Sequence, residues 1–168
     1  MMPTRAADAF GRGPVRPADR PAMRRFSVRQ SRFFESFYAA FERGLIGLRP
    51  VMAKIGFERL EGPVAATEKL VKGALFDCRM CGQCILSSTG MSCPMNCPKN
   101  LRNGPCGGVR ANGHCEVHPN MECVWVKAYE GSTRMVHGDK IREIQPAIDH
   151  RRAGWSSWLD VVRRHAAS

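Results

Sequence analysis

The chain has 168 residues, with 26 Lys and Arg against 15 Asp and Glu, which gives a formal net charge of +11. This length fits one domain of ordinary size and excludes a complete (β/α)₈ barrel within it, because such a barrel takes about 250 residues. No stretch approaches the roughly 18 consecutive apolar residues of a membrane span, and the N-terminal region lacks the apolar core of a secretory signal. We therefore expect no membrane partner, a cytoplasmic location and reduced cysteines.

Residues 1–30 have the composition of a disordered tail. Pro3, Pro14, Pro17 and Pro21 interrupt the segment, large apolar side chains are few, and most of its charged residues are Arg. Such a composition opposes a packed structure. A basic run by itself supplies only sequence-independent attraction to nucleic acid, so we predict no specific nucleic-acid partner.

Residues 31–76 are predicted to form a helical docking segment. Ser31 suits the N-cap of a first helix, and Gly44 suits its C-terminal end. Aromatic residues recur at helical spacing along this helix, at Phe33, Phe34, Phe37, Tyr38 and Phe41. Because the chain supplies little else for this stripe to cover, we interpret it as a face that docks onto a partner protein.

A second helix is predicted from about Ala65 to Phe76, directly before Cys78. Glu68 and Lys72 stand four residues apart, which is the spacing of a helical ion pair. The apolar side chains that we expect this helix to bury are Leu70, Val71, Ala74 and Leu75.

Residues 77–165 are predicted to form a cysteine-rich metal-binding domain that ends in a helix. All eight cysteines lie within residues 78–123, a stretch that contains only five Ile, Leu and Val residues. It cannot bury enough apolar area to offset an ordering cost of about 1.5 kcal/mol per residue. We therefore expect metal–thiolate bonds to hold it together, and the predicted fold is a small, mostly α-helical and irregular metal-stabilised domain.

Two amphipathic helices are expected after the cysteines. Asn120 suits the N-cap of the first, whose apolar face would comprise Met121, Val124, Trp125 and Ala128. The apolar face of the second would comprise Trp155, Trp158, Leu159 and Val162. We expect Trp158 to act as an anchor on the partner protein.

The spacing of the cysteines favours iron–sulfur chemistry. Cys78, Cys81 and Cys84 follow one another at C-x-x-C spacing, and three such thiolates reach three irons of one [4Fe–4S] cluster. The fourth ligand then comes from elsewhere. In bacterial ferredoxins a proline follows the distant ligand, and here both Cys93 and Cys97 precede a proline.

Eight cysteines suffice for two four-ligand sites, and the sequence leaves their pairing open. A second group, drawn mainly from Cys93, Cys97, Cys106 and Cys115, would hold another cluster or a structural Zn²⁺. Any one of Cys123 and the two cysteines that precede a proline, Cys93 and Cys97, would complete either site. Zinc at both sites, disulfides and free thiols remain as structural alternatives, while the histidines that flank Cys115 are interpreted as surface groups.

A family resemblance is carried by the stretch from Cys78 to Trp125, CRMCGQCILSSTGMSCPMNCPKNLRNGPCGGVRANGHCEVHPNMECVW, and by the later Ser156-Ser157-Trp158. The NGPCGG block and the paired Cys-Pro units make it specific. Over roughly residues 70–160 the chain resembles the methylenetetrahydrofolate reductase C-terminal domain family. By this resemblance, the family's cysteines correspond here to Cys78, Cys81, Cys84, Cys93, Cys97, Cys106, Cys115 and Cys123.

The resemblance implies a small cysteine-rich subunit beside a flavin-bearing barrel that reduces methylene-tetrahydrofolate to methyl-tetrahydrofolate. Such a subunit carries metal centres, one or two [4Fe–4S] clusters with Zn²⁺ as the alternative at the second site, and brings electrons to the flavin of its partner. We find no dinucleotide fingerprint after a strand and no catalytic triad, so we predict no catalytic site in this chain. Two alternatives remain: a structural zinc module that stabilises the reductase, and a zinc-dependent nucleic-acid binder.

Overall fold

Helices joined by irregular segments make up the part of the chain that the computed structural model describes, residues 21–167. The α-helices are α1 (Pro21–Arg29), α2 (Ser31–Gly47), α3 (Arg49–Ile55), α4 (Phe57–Phe76), α5 (Val124–Ser132) and α6 (Ser157–Ala167). Short 3₁₀ turns occupy Leu86–Ser88, Pro94–Asn96, Gly138–Arg142 and His150–Arg152. Extended pairing within this range is limited to two isolated bridges. The prediction of a mostly α-helical and irregular fold is confirmed.

Helix α1 lies within the segment that was predicted to be disordered, so that prediction is wrong for residues 21–29. The helix packs against α4 and α5. Ser27 and Val28 on its inner face are fully buried. Burial against distant helices thus orders a stretch whose composition alone favours disorder. Residues 1–20 lie outside the described residues.

Helix α2 confirms the predicted aromatic helix but extends past Gly44 to Gly47. Ser31 does not cap it; its hydroxyl instead donates a hydrogen bond of 2.8 Å to the carbonyl oxygen of Gly131 on α5. Only Phe34 of the aromatic stripe is buried, and it packs edge-to-face on Phe76 with 5.0 Å between ring centroids. The helix therefore divides its aromatic residues between the interior and the surface.

Helix α4 begins at Phe57, upstream of the predicted start, and continues through Pro63. The predicted buried face is wrong. Leu70 is 74% exposed and Val71 is 39% exposed. The side chains that are buried are instead Glu68, Lys72 and Phe76. The polar pair faces the interior because α2, α6 and the cysteine segment supply partners for its charges.

Helix α6 packs against α2 and α4, with Leu159 and Val162 fully buried. The indole of Trp158 lies against Phe41 of α2, edge-to-face with ring centroids 4.9 Å apart. Trp158 is half-buried and takes part in an internal helix contact, while the expectation that it anchors a partner stays a prediction.

The cysteine-rich segment packs on α5, which begins at Val124 with Cys123 at its N-cap rather than Asn120. The predicted face of α5 is confirmed, because Met121, Val124, Trp125 and Ala128 are all buried. Gly90 has a φ of +58° and its backbone lies directly against Gly131. A Cβ atom on either glycine would collide with the other backbone, so this close approach requires glycine. Within residues 21–167, no helix is long and apolar enough to cross a bilayer.

Candidate metal centre

Four cysteines line a single cavity next to the end of α4: Cys78, Cys81, Cys84 and Cys93. The first three belong to the turn that follows α4, and Cys93 precedes the 3₁₀ turn Pro94–Asn96. The sequence left Cys93 and Cys97 as equal candidates for the fourth ligand. The fold brings Cys93 to the cavity, whereas Cys97 is not among the residues that line it.

Residues with positive φ angles shape the backbone of the turn that carries these cysteines, and long-range hydrogen bonds hold the turn in place. Asp77, Met80 and Gly82 adopt positive φ angles, which reverse the chain direction within a few residues. The Asn96 side-chain amide donates to the Asp77 carbonyl oxygen at 2.9 Å, so the turn and the Cys93 segment are joined. On the other side, the Gly154 backbone N–H donates to the Met80 carbonyl oxygen at 2.7 Å.

Two thiols of this group, those of Cys78 and Cys81, have a raised pKa, which favours their protonated form when no metal is bound. A hydrogen bond with Cys93 is the largest factor that raises the pKa of Cys78, and burial adds to it. Burial likewise raises the pKa of Cys81. Because metals bind thiolates, metal binding here would release protons. The four sulfur donors suit an iron–sulfur cluster or zinc.

The remaining cysteines, Cys97, Cys106, Cys115 and Cys123, belong to a different part of the fold. Cys97 and Cys123 pack together with Trp125 of α5. Cys115 packs in a separate apolar cluster with Met121 and Val124, and its backbone N–H donates to the Met121 carbonyl oxygen at 2.9 Å. Cys106 and Cys115 both lie close enough to interact with the charge of Lys99. Across residues 21–167, no three His, Cys, Asp or Glu side chains form a group arranged to hold a metal ion. Metal ligation by either group stays a prediction.

The predicted ion pair of Glu68 and Lys72 lies buried beside the cavity, and this burial was not expected from the sequence. The Lys72 ammonium donates to Glu68 Oε1 and to the Ser157 hydroxyl, each at 2.7 Å. Glu68 Oε2 accepts from the Ser156 hydroxyl at 2.6 Å and from the Trp158 backbone N–H at 3.3 Å. The i,i+4 spacing predicted the pair but gave no sign that both side chains would be about 1% exposed. The sequence feature that relates to this burial is the Ser156-Ser157 pair, whose buried hydroxyls bond to Glu68 and Lys72.

Lys72 also lies close to the four cysteines of the cavity. The Tyr38 hydroxyl lies 3.8 Å from Cys84 Sγ, and the Lys72 nitrogen lies 5.2 Å from the centre of the Tyr38 ring. Burial by itself lowers the pKa of Lys72, but the neighbouring Cys84, Tyr38 and Glu68 groups outweigh it and the net pKa is raised. Lys72 therefore keeps its positive charge beside Cys84.

A second buried cation, Arg102, faces the same cavity. Its side chain is almost fully buried, and its Nη2 donates to the Gln83 carbonyl oxygen at 3.0 Å. Its Nε and Nη1 atoms are also buried and have no hydrogen-bond partner within residues 21–167. Its charge acts on Cys81 and favours the thiolate of that residue.

A family profile described as methylene-tetrahydrofolate reductase C terminal matches residues 57–151, which is more than half of the chain. The matched range contains all eight cysteines together with Glu68, Lys72 and Arg102. It leaves α1, α2, α3 and α6 outside. No curated protein and no solved structure matches the chain.

Proposed function

Because the chain belongs to the methylene-tetrahydrofolate reductase C-terminal family, we propose that it is an accessory subunit of a methylenetetrahydrofolate reductase. In this proposal the chain binds metal through its cysteines and relays electrons to a flavin-bearing partner. The observation that carries the proposal is the cavity lined by four cysteines, three of them at C-x-x-C spacing. A structural zinc site takes its ligands from two C-x-x-C pairs. Here a third cysteine follows the first pair at the same spacing, which favours an iron–sulfur cluster.

Cys78, Cys81, Cys84 and Cys93 are the proposed ligands of a [4Fe–4S] cluster, which supplies one-electron transfer. The surroundings suit a group of net negative charge, because Lys72 and Arg102 are both buried at this cavity. The Met80 backbone N–H donates to Cys78 Sγ at 3.3 Å. Such hydrogen bonds to ligand sulfur atoms are one means by which proteins adjust a cluster's reduction potential.

Cys97, Cys106, Cys115 and Cys123 are proposed as the second site, which would hold Zn²⁺ or another cluster. Three of these side chains are buried. Two of them, Cys97 and Cys123, pack against α5. A metal at this position would join the loop of residues 97–115 to the start of α5, which is a structural role that does not require redox chemistry.

The two Cys-Pro units provide a matched test of the ligand assignment. We expect anaerobically purified protein to be brown, with about four iron and four sulfide per chain for each cluster. Cys93→Ser should lose the cluster of the first cavity and most of the visible absorption that bleaches on reduction. Cys97→Ser should keep that absorption and lose only the metal of the second site. Iron, sulfide and zinc analysis of the three proteins measures the difference.

Two results would contradict this assignment. Equal loss of the cluster in Cys93→Ser and Cys97→Ser would show that the cavity does not define the ligand set. A colourless parent protein that contains zinc and no sulfide would leave only the structural zinc module, and the electron relay would be wrong.

The exposed aromatic face of α2 is the proposed docking surface for the flavin-bearing barrel. Phe33 is 63% exposed and Phe37 is 54% exposed, and their rings stack with 6.3 Å between centroids. Tyr38 on the same helix reaches Cys84 of the proposed cluster site. A partner seated on this face would therefore lie next to the cluster ligands, as electron transfer requires.

Removal of one ring tests this surface. We expect Phe37→Ala to weaken binding to the co-purified reductase barrel about tenfold or more, because buried aromatic anchors commonly contribute over 1 kcal/mol to an interface. Tyr129→Ala is the matched control, since Tyr129 on α5 is 65% exposed and lies outside α2. Isothermal titration calorimetry measures both affinities. Equal affinity for Phe37→Ala and the parent would place the docking surface elsewhere.

A further inference from the structure

The two buried cations at the cysteine cavity differ in how their charge is compensated. Lys72 forms an ion pair with Glu68 at 2.7 Å, so the pair as a whole is neutral. Arg102 forms no ion pair with any acidic side chain within residues 21–167. Within the described part of the chain, its hydrogen-bond acceptor is the neutral carbonyl oxygen of Gln83, which belongs to the turn between Cys81 and Cys84.

An isolated cation in this position is costly. Arg102 is only 8% exposed. Two of its nitrogen atoms, Nε and Nη1, are buried and have no hydrogen-bond partner among the residues that the structure describes. Buried donors of this kind are rare in folded proteins, and a buried charge without a counter-charge is strongly destabilising. The position is favourable only when an anion lies beside the guanidinium.

The proposed cluster is such an anion. Four thiolates around a [4Fe–4S]²⁺ core give a net charge of about −2, and one-electron reduction adds a further negative charge. A cation at close range stabilises the reduced state more than the oxidised state. The carboxylate of Glu68 largely offsets the electrostatic field of Lys72. No acidic side chain within residues 21–167 offsets the field of Arg102 in this way.

We propose that Arg102 is the counter-charge of the Cys78–Cys81–Cys84–Cys93 centre and raises its reduction potential through the uncompensated positive charge of its guanidinium. This inference rests on the proposed function, and it adds a residue outside the ligand set that controls the electron-transfer property of the site. The direction of the effect follows from the sign of the charge.

The test is a mediated redox titration of the full chain, purified without air and followed by electron paramagnetic resonance. We expect Arg102→Gln to lower the equilibrium constant for reduction about tenfold, which is about 59 mV for one electron. Arg102→Lys, which keeps the charge, should recover more than half of this shift. Arg110→Gln removes the same charge from an exposed position in the same segment, and it should leave the potential unchanged because water screens it.

Each outcome separates this inference from the proposed function. Iron-bearing protein whose potential is the same in Arg102→Gln and the parent overturns the role of Arg102 alone. A potential in Arg102→Lys equal to that in Arg102→Gln also overturns it, because geometry rather than charge would then be responsible. Parent protein without iron and sulfide overturns the proposed function and this inference with it. If Arg102→Gln does not fold, Arg102→Met removes the same charge with a side chain of similar length.

Discussion

Removal of bound metal from the anaerobic protein is expected to unfold residues 78–123 while α2 and α4 keep most of their structure. The segment contains only two 3₁₀ turns and isolated bridges. Five of its eight cysteines are themselves core residues. Structural metal sites supply about 10–16 kcal/mol of apparent folding free energy, as large as the whole stability of an ordinary domain. Without that contribution, the apolar side chains present do not offset the ordering of the chain.

Hydrogen exchange followed by mass spectrometry measures this effect. After anaerobic chelation we expect amides of residues 78–123 to exchange at rates close to those of an unfolded chain. Amides of α4 should stay protected, because its contacts with α6 through Glu61 and Glu68 do not involve cysteine. Protein incubated without chelator is the control. Full protection of residues 78–123 in metal-free protein would contradict the view that metal orders this segment.

The second large effect is expected from breaking the buried pair of Glu68 and Lys72. Lys72→Met leaves the Glu68 carboxylate without its cation in a position that is 1% exposed. Loss of one partner from a buried pair typically costs about 3–5 kcal/mol, because the other charge stays buried and uncompensated. We expect the free energy of unfolding of the metal-loaded protein, measured by urea titration, to fall by this amount. The α6 N-terminus should loosen with it, since Glu68 accepts a hydrogen bond from the Trp158 backbone N–H.

An exposed pair with the same spacing is the control for this measurement. Arg134 and Glu130 form an i,i+4 ion pair at 3.0 Å, with about 40% of each side chain exposed. Arg134→Met should cost less than about 1 kcal/mol, because water screens surface pairs and solvates the remaining charge. The double variant Glu68→Met/Lys72→Met should cost less than the sum of the two single variants. A cost for Lys72→Met no greater than that for Arg134→Met would show that the pair is not buried in solution.

The burial pattern of the helices shows where sequence reasoning failed. Periodicity correctly gave the inner face of α5 and the buried Leu159 and Val162 of α6, because these apolar side chains meet other apolar groups. It gave the wrong face of α4, where Leu70 is exposed and Lys72 is buried. The partners that bury Lys72 include Ser157, which lies 85 residues further along the chain. A local window does not contain that information.

The candidate metal site likewise combines features that the sequence predicted with features that it did not predict. The C-x-x-C-x-x-C spacing and the two Cys-Pro units predict metal ligands, because local geometry controls which thiols can reach one centre. The position of Cys93 rather than Cys97 at the cavity depends on how the Pro94–Asn96 turn folds back, through Asn96, onto the end of α4. Arg102 carried no signal in the sequence that separated it from the other basic residues of the segment.

From its sequence alone, this protein is a member of a reductase-associated family, mostly helical, with cysteines spaced for metal. These properties follow from composition and from spacings of a few residues, which the chain carries before it folds. Tertiary structure alone decided that residues 21–29 form a helix, that Cys78, Cys81, Cys84 and Cys93 line one cavity, and that Lys72 and Arg102 lie buried beside it. Each of these outcomes depends on groups distant in the chain that become neighbours only when the helices pack, because burial and charge compensation are properties of the assembled interior.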